Sequence, residues 1–183
     1  MSSTNRGSKR SSRDFYPTPA WCVLSLYKAI KLPLPTLDPC AGNGGLIGPV
    51  QELYRRKSKV RGVEIQPPLV KQAREAGLIV ELGSGLELDW SQEHILMNPP
   101  YSEAELWVEK AVREASSATI LLRLGYLASK KRQDWMQKNP PQAIVILSRR
   151  PSFTGKGGDS TDYCWLHYSK QAQLFGTQMA WIS

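Results

Sequence analysis

Short apolar segments of strand character alternate with segments of helical spacing along most of the chain. The strand-like segments are, in order, PTLD, VRGVEI, LIVEL, HILM, ATILLRL, AIVIL and YCWLHY. The helix-like segments are AWCVLSLYKAI, residues 46–56, PPLVKQAREAG, residues 103–116 and residues 130–138. This alternation is typical of βαβ units, in which helices join parallel strands and cover both faces of the sheet. The sequence therefore predicts a single α/β domain with a mostly parallel, seven-stranded sheet.

Positive charge is concentrated at the two ends of the sequence, which has 183 residues and a formal net charge of +8. Residues 1–14 carry four Lys or Arg against one acid, residues 15–114 eleven against twelve, and residues 115–183 nine against three. This distribution favours a polyanionic partner, because each neutralised phosphate releases counterions. Solubility alone is the simpler alternative. We expect the Ser-rich, basic residues 1–13 to form a disordered tail ahead of a domain that spans residues 14–183.

Other classes of protein are disfavoured by the composition. No apolar run approaches about 18 residues, and the sequence starts without an apolar signal region, so we expect neither a membrane span nor secretion. Cys22, Cys40 and Cys164 lie far apart and form no CxxC pair. This spacing supports neither a zinc site nor a disulfide framework. We therefore expect a protein of the reducing cytoplasm that holds no metal.

A Gly-rich turn follows the first predicted strand in LDPCAGNGGL. Because Gly42 and Gly44 have no Cβ atoms, the backbone can pass close to a ligand there, and the next helix offers free N–H groups. Glu64 lies at the end of the second strand, about 20 residues further on, the spacing at which nucleotide-binding α/β folds place an acidic side chain on ribose hydroxyls. The alternative for Glu64 is a solvated strand end.

The segment HILMNPPYSEAELW places Asn98, Pro99, Pro100 and Tyr101 directly after a predicted strand. The prolines cannot donate to a sheet, so the chain leaves the strand at Asn98 in a stiff turn. The Asn98 side-chain oxygen and the Pro99 carbonyl can then accept the hydrogens of a planar amine and make its nitrogen more nucleophilic. The Tyr101 ring can stack on a base extruded from a duplex. Residues 102–105 indicate a capping box that opens a helix.

These segments resemble the class I, S-adenosylmethionine-dependent amino-methyltransferases, and among them the phage-type DNA N6-adenine methyltransferases. The resemblance rests on DFYPTP, DPCAGNGG, VEI, ILMNPPY, ILLRLGYL and RRPSF…DYCWL, which cover most of residues 14–168. It implies a Rossmann-like methyltransferase of bacterial or phage-infected cytoplasm that methylates N6 of adenine in DNA. RNA-adenine and protein-glutamine methyltransferases share the Asn-Pro-Pro-Tyr motif, and a catalytically dead nucleic-acid-binding module is a third alternative.

The same resemblance assigns roles to individual residues, with catalysis at Asn98, Pro99, Pro100 and Tyr101. S-adenosyl-L-methionine would be bound by Tyr16, Pro17, Thr18, Asp38, Ala41, Gly42, Gly44, Glu64, Ile65, Ser84 and Asn98. Within this set, residues 16–18 would hold its amino-acid portion, Glu64 its ribose and Ile65 its adenine. Ser84 stands where many relatives have an Asp that contacts the adenine. Pro39-Cys40 matches the nucleophile dipeptide of cytosine-C5 methylation, but it lies inside the cofactor turn, so we interpret Cys40 as a small packed residue.

Basic residues in two segments are candidates for contacting DNA. Lys130 and Lys131 stand beside Arg132, and the alternative for this cluster is a solvated helix start. The Gly-rich loop RRPSFTGKGGDSTD follows a predicted strand, so its start lies at the sheet edge where ligands bind. Its candidates are Arg149, Arg150, Phe153 and Lys156, of which Phe153 would be a wedge or stacking face. We expect no separate target-recognition domain, and a monomer or weak dimer.

Overall fold

The computed structural model describes residues 17–55, 59–153, 158–171 and 176–183. These residues form an eight-stranded sheet with the order β3-β2-β1-β4-β5-β7-β6-β8. The strands are β1 (Thr36–Asp38), β2 (Val60–Glu64), β3 (Val80–Leu82), β4 (His94–Met97), β5 (Ser117–Arg123), β6 (Ala143–Leu147), β7 (Tyr163–Ser169) and β8 (Gln178–Ile182). Only β7 runs antiparallel to its neighbours among these paired strands. The predicted α/β class and mostly parallel sheet are confirmed.

Helices cover both faces of the sheet, as the sequence predicts. They are α1 (Ala20–Ala29), α2 (Ile47–Tyr54), α3 (Pro67–Glu75), α4 (Ala104–Glu114) and α5 (Gln133–Lys138). Helices α1, α2 and α3 bury Leu26, Val50 and Val70 in one apolar core. Helix α4 buries Trp107 in a second core, against which Trp135 of α5 packs. In the part of the chain that the structure describes, none of the helices has both the length and the apolar character to cross a membrane.

The prediction of seven strands ending with YCWLHY is wrong by one strand, because β8 follows and pairs with β6 at the edge of the sheet. Met179 and Trp181 of this strand are 55% and 63% exposed. Ala180 and Ile182 pack against the core from the other face. Since apolar side chains lie on both faces of β8, the apolar–polar alternation that marks a half-buried strand is missing from its sequence.

The carboxyl ends of the parallel strands bring the sequence motifs to one edge of the sheet. The strand order reverses between β1 and β4, and open α/β sheets hold ligands in the crevice at such a point. The Gly-rich turn follows β1, Glu64 ends β2, Asn98 follows β4 and Arg123 ends β5. The topology therefore places these residues around one crevice.

The helix after the Asn-Pro-Pro-Tyr segment begins later than predicted. Residues Tyr101–Glu103 form a 3₁₀ turn, and α4 begins at Ala104 with Glu103 in the N-cap position. The Glu103 N–H donates to the Pro100 carbonyl, which closes this turn. The predicted capping box is wrong, because Ser102 lies inside the 3₁₀ turn and is not the N-cap residue of the helix.

Candidate functional site

The turn after β1 is held in shape by the carboxylate of Glu64. Gly42 has a φ of 55°, a left-handed conformation that favours glycine. Its N–H donates to Oε2 of Glu64 at 2.9 Å, and the Gln66 N–H donates to Oε1 at 2.8 Å. Both carboxylate oxygens of Glu64 accept hydrogen bonds, and only 6% of the residue is exposed. Glu64 is therefore a structural part of the turn and not a solvated strand end.

Asp38, the last residue of β1, places a second carboxyl group in the same region. It is 1% exposed, and its Oδ1 accepts the Cys40 N–H at 3.1 Å. Burial raises the pKa of Asp38 from 3.8 to about 7, the Cys40 hydrogen bonds oppose this shift, and the nearby Glu64 charge adds to it. Burial disfavours the charged form of this carboxyl group, and a cationic ligand beside it would offset that cost.

Asn98 is held by contacts from two other parts of the chain. Its side-chain Nδ2 donates to Oγ1 of Thr18 at 2.9 Å. The thiol of Cys40 lies 3.7 Å from the Asn98 carbonyl oxygen, at which the S–H is a weak donor. Burial, with the charges of Asp38 and Glu64, keeps the pKa of Cys40 well above its ordinary value, so the sulfur stays a thiol. Cys40 is therefore an unreactive contact of the catalytic candidate, consistent with the interpretation that it is no nucleophile.

Tyr101 lies between two residues that sequence reasoning did not assign. The guanidinium carbon of Arg123 is 4.8 Å from the centre of the Tyr101 ring, and the Tyr163 ring is 5.9 Å away. Tyr163 in turn donates from its hydroxyl to Oδ2 of Asp159 at 2.7 Å. Burial raises the pKa of Tyr101 above its ordinary value, with Tyr163 adding to the shift and Arg123 opposing it. Tyr101 is therefore a neutral phenol near neutral pH.

A cleft of about 710 Å³ collects most of the predicted cofactor-binding residues. The predicted residues that line it are Pro17, Thr18, Asp38, Ala41, Gly42, Glu64, Ile65, Ser84, Asn98, Pro100 and Tyr101. Gly44 and Pro99 are not among its lining residues: Gly44 lies against Leu78, and Pro99 is buried. Tyr16 lies outside the described residues. Leu86, Trp107 and Arg123, which no sequence motif assigned to the site, also line the cleft.

A second cleft of about 760 Å³ adjoins the first. The two clefts share Tyr101, Ser102, Glu103 and Arg123. The second cleft is also lined by charged residues of both signs from α4 and the segment before α5, namely Glu105, Glu109, Lys131 and Arg132. The 3₁₀ turn and Arg123 therefore stand where the two spaces meet, so a ligand in one cleft would lie next to a ligand in the other.

The first basic cluster is partly neutralised by α4. Lys131 Nζ and Arg132 Nη1 lie 2.7 and 2.8 Å from the two oxygens of Glu105. The Arg132 guanidinium also lies 4.2 Å from the centre of the Tyr126 ring. Lys130 is exposed. Lys131 and Arg132 therefore belong to a wall of the second cleft, whereas Lys130 does not line it.

The loop after β6 is only partly as predicted. Arg149 is exposed and lies 5.0 Å from the centre of the Trp21 ring, and Arg150 is exposed and pairs with Asp162 at 2.7 Å. Phe153 is 6% exposed and packs edge-on against Tyr163, with the ring centres 5.2 Å apart. The prediction of Phe153 as a wedge or stacking face is wrong, because its ring belongs to the core below Tyr163. Lys156 lies outside the described residues.

The arrangement of the described side chains does not form a recognisable metal site. Among the described residues, no three His, Cys, Asp or Glu side chains come together as a group that could hold a metal ion. The carboxylates that do meet in the cleft, Asp38 and Glu64, are engaged by backbone N–H groups of the Gly-rich turn and of Gln66. Both are thus arranged as acceptors, which suits an organic ligand with hydroxyl and ammonium donors.

Comparisons with known proteins identify the fold of the chain. No protein-family model and no curated protein sequence matches the chain. A protein assigned to the class I S-adenosylmethionine-dependent methyltransferases from Listeria monocytogenes superimposes with a TM-score of 0.64 at 15% identity, over 88% of this chain and 63% of that one. This chain thus spans less than two thirds of that neighbour's length.

Two further neighbours differ in the nucleic acid that their names imply. The M protein of the type I restriction enzyme EcoKI superimposes with a TM-score of 0.60 at 16% identity, over 87% of this chain and 44% of that one. An RNA methyltransferase from Salinibacter ruber, in complex with S-adenosyl-L-homocysteine, gives a TM-score of 0.55 at 16% identity, over 87% and 97% of the two chains. At these identities the likeness establishes the architecture: the chain has the Rossmann-like fold of class I methyltransferases.

Proposed function

We propose that this protein binds S-adenosyl-L-methionine in the 710 Å³ cleft and methylates the N6 amine of adenine in DNA. The observation that carries the proposal is the position of Asn98. It lines the same cleft as the carboxylates of Asp38 and Glu64 and is tied to the Gly-rich turn through Cys40. An amide acceptor beside an acidic cofactor cleft is the arrangement that methyl transfer to a planar amine requires.

The lining of the cleft fits the cofactor. S-adenosyl-L-methionine carries a sulfonium, an ammonium, two ribose hydroxyls and an adenine. The described lining offers the carboxylates of Asp38, Glu64 and Glu103 against the single guanidinium of Arg123. Asp38 suits the ammonium, since its raised pKa reports a burial cost that a cation relieves. Ile65, which is 62% exposed at the end of β2, offers an apolar surface for the adenine next to Glu64. The Salinibacter neighbour binds S-adenosyl-L-homocysteine, the demethylated form of this cofactor, which supports the same assignment.

The residues of the chain have separable roles in the transfer. When bound, the cofactor supplies a methyl group on a positively charged sulfur. The amide oxygen of Asn98 accepts one hydrogen of the substrate amine, which helps to localise the nitrogen lone pair. The nitrogen held in this way would receive the methyl group from the bound cofactor, leaving the demethylated cofactor in the cleft, and would lose a proton to solvent. Tyr101, kept as a neutral phenol by burial, presents its ring for stacking with the extruded base.

DNA is the proposed substrate because of where the positive charge lies. The second cleft, which meets the first at Tyr101, has Lys131 and Arg132 in its wall. Arg149 and Arg150 are exposed at the same edge of the sheet, after β6. Cations at these positions can contact the phosphates on either side of an extruded nucleotide. The resemblance of the sequence to phage-type DNA enzymes is the reason for proposing DNA over RNA, since the fold is shared with neighbours of both kinds.

A product assay tests the proposal directly. The protein is incubated with methyl-labelled cofactor and, separately, with DNA, structured RNA and a protein mixture, and the methylated product is identified by mass spectrometry. We expect N6-methyladenine in DNA. The matched control is Asn98→Ala, for which the rate should fall by roughly 10²–10³, the typical cost of removing one preorganised polar group. Label found only in RNA adenine or protein glutamine would reassign the substrate, and cofactor binding without any transfer would indicate a binding module.

A further inference from the structure

The hydroxyl of Thr18 is hydrogen-bonded to Asn98, the amide acceptor of the proposed reaction. Thr18 precedes α1 and is 80 residues away from Asn98 in sequence, yet its Oγ1 accepts the Asn98 Nδ2 hydrogen at 2.9 Å. Thr18 is 7% exposed, so solvent competes little for this hydrogen bond. An amide held by its nitrogen has its oxygen fixed as well, because the amide group is planar.

The backbone around Thr18 is itself fixed in place. Pro17 and Pro19 flank it, and proline restricts φ on both sides. The segment lies directly against Gly45 of the Gly-rich turn: a Cβ atom at position 45 would lie 3.0 Å from the Thr18 carbonyl oxygen and 3.3 Å from its nitrogen. The absence of a side chain at Gly45 thus lets the segment approach the turn closely, and α1 anchors its other end, where the Cys22 N–H donates to the Pro19 carbonyl.

We propose that Thr18 is a positioning residue that sets the orientation of the Asn98 amide, an inference that rests on the proposed function. An Asn side chain can present either an acceptor or a donor pair to a substrate, depending on a half-turn of its amide group. Methyl transfer needs the acceptor to face the substrate amine, since two N–H donors facing each other would repel. In this structure the Thr18 hydroxyl accepts from the amide nitrogen, and this hydrogen bond would hold the amide in that orientation before the substrate arrives.

Substitutions at Thr18 separate this role from cofactor binding, which the sequence resemblance assigns to the same residue. Thr18→Val keeps the shape and removes the hydroxyl, and we expect it to lower kcat about tenfold, the equivalent of one hydrogen bond of about 1.4 kcal/mol. The cofactor Kd, measured by calorimetry in the same variant, should change less than kcat, because the carboxylates of Asp38 and Glu64 stay in place. Thr18→Ser restores the hydroxyl and should recover most of the rate. Thr177→Val is the matched control, as it removes a hydroxyl bonded to the Pro141 carbonyl, far from the cleft in sequence and fold.

A spectroscopic measurement tests the contact without any methyl transfer. In protein labelled with ¹⁵N-asparagine, the Asn98 side-chain signal is assigned by its loss in Asn98→Ala. We expect its NH₂ protons to exchange with water about tenfold faster in Thr18→Val than in the parent protein or in Thr18→Ser, since the hydrogen bond protects them. Unchanged exchange, an unchanged kcat in Thr18→Val, or equal losses in the Val and Ser variants would each overturn the inference. A parent protein that methylates nothing would refute the proposed function, and the exchange rates would still decide the contact.

Discussion

Replacing Asp38 by Asn should stabilise the protein without cofactor and do so more strongly as the pH rises. Asp38 is 1% exposed, and burial raises its pKa from 3.8 to about 7. A carboxyl group with a raised pKa in the folded state contributes its full stability below pH 3.8 and loses it as the pH rises to about 7. At about 1.4 kcal/mol per pH unit, this interval corresponds to about 4 kcal/mol. Asn is nearly isosteric, can still accept the Cys40 N–H, and does not titrate.

Urea unfolding followed by tryptophan fluorescence at pH 5, 6, 7 and 8 measures the effect. The free energy of unfolding of Asp38→Asn should exceed that of the parent by an amount that grows by about 1.4 kcal/mol per pH unit up to about pH 7 and is then constant. Asp89→Asn is the control, because Asp89 is exposed, its pKa is lowered by hydrogen bonds from Ser91, and its titration lies below this pH range. A stability gap at position 38 that does not vary between pH 5 and 8 would refute the reasoning.

The same substitution should have the opposite effect on ligand binding. If Asp38 pairs with the cofactor ammonium, Asp38→Asn removes the counter-charge and should weaken cofactor binding by about tenfold or more, as expected for a hydrogen bond to a charged group. In the parent protein the affinity should rise with pH up to about 7, as the carboxyl group ionises. Calorimetric titrations at pH 6 and 8 compare the two proteins. Equal cofactor affinities would remove Asp38 from the binding site.

Substitutions at three further positions test other parts of the structure. Glu64→Gln keeps only one of the two acceptors that hold the turn and loses the charge, and should raise the cofactor Kd about tenfold or more in calorimetry while DNA affinity is unchanged. Tyr101→Ala should weaken substrate capture by about 1–3 kcal/mol in binding assays whereas Tyr101→Phe retains most of it; equal losses would assign the effect to the hydroxyl. The His94 ring is hydrogen-bonded to the Ser117 hydroxyl at 2.8 Å. Burial lowers the pKa of His94 from 6.5 to about 3, so the ring is neutral in the folded protein. The stability that the neutral ring contributes is therefore present above pH 6.5 and is lost on acidification. His94→Asn should therefore flatten the fall in unfolding free energy between pH 6.5 and 5, and parallel curves would contradict this.

The sequence predicts well the features that arise from local pattern. The segment AIVIL coincides with β6, since a continuous apolar run bounded by polar residues is a clear strand signal. The Gly-rich turn and Glu64 are found together because the chain spacing of a βαβ unit brings the ends of adjacent parallel strands to one edge. Asn98 and Tyr101 are likewise placed in the cleft by the strand that precedes them.

Features that arise from long-range packing are missed. Arg123 ends β5 like many solvated strand ends, and only the tertiary fold shows its guanidinium over the Tyr101 ring. Thr18 lines the cleft to which the resemblance assigns it, but its hydrogen bond to Asn98 across 80 residues of sequence is seen only in the tertiary fold. Phe153 stands in a Gly-rich, basic loop, which suggested exposure, but Tyr163 offers an aromatic surface that buries it. In each case the partner is distant in sequence, so no local pattern records the contact.

The shared boundary of the two clefts has a consequence for the order and strength of ligand binding. Tyr101, Ser102, Glu103 and Arg123 line both spaces, so a ligand that fixes them for one cleft changes what the other cleft offers. Thermodynamic linkage then requires reciprocity: the factor by which one ligand alters the affinity of the second equals the factor by which the second alters the first. Under the proposed function, the demethylated cofactor left in the first cleft would influence how tightly the neighbouring cleft holds its occupant, and the release of the two products would be coupled.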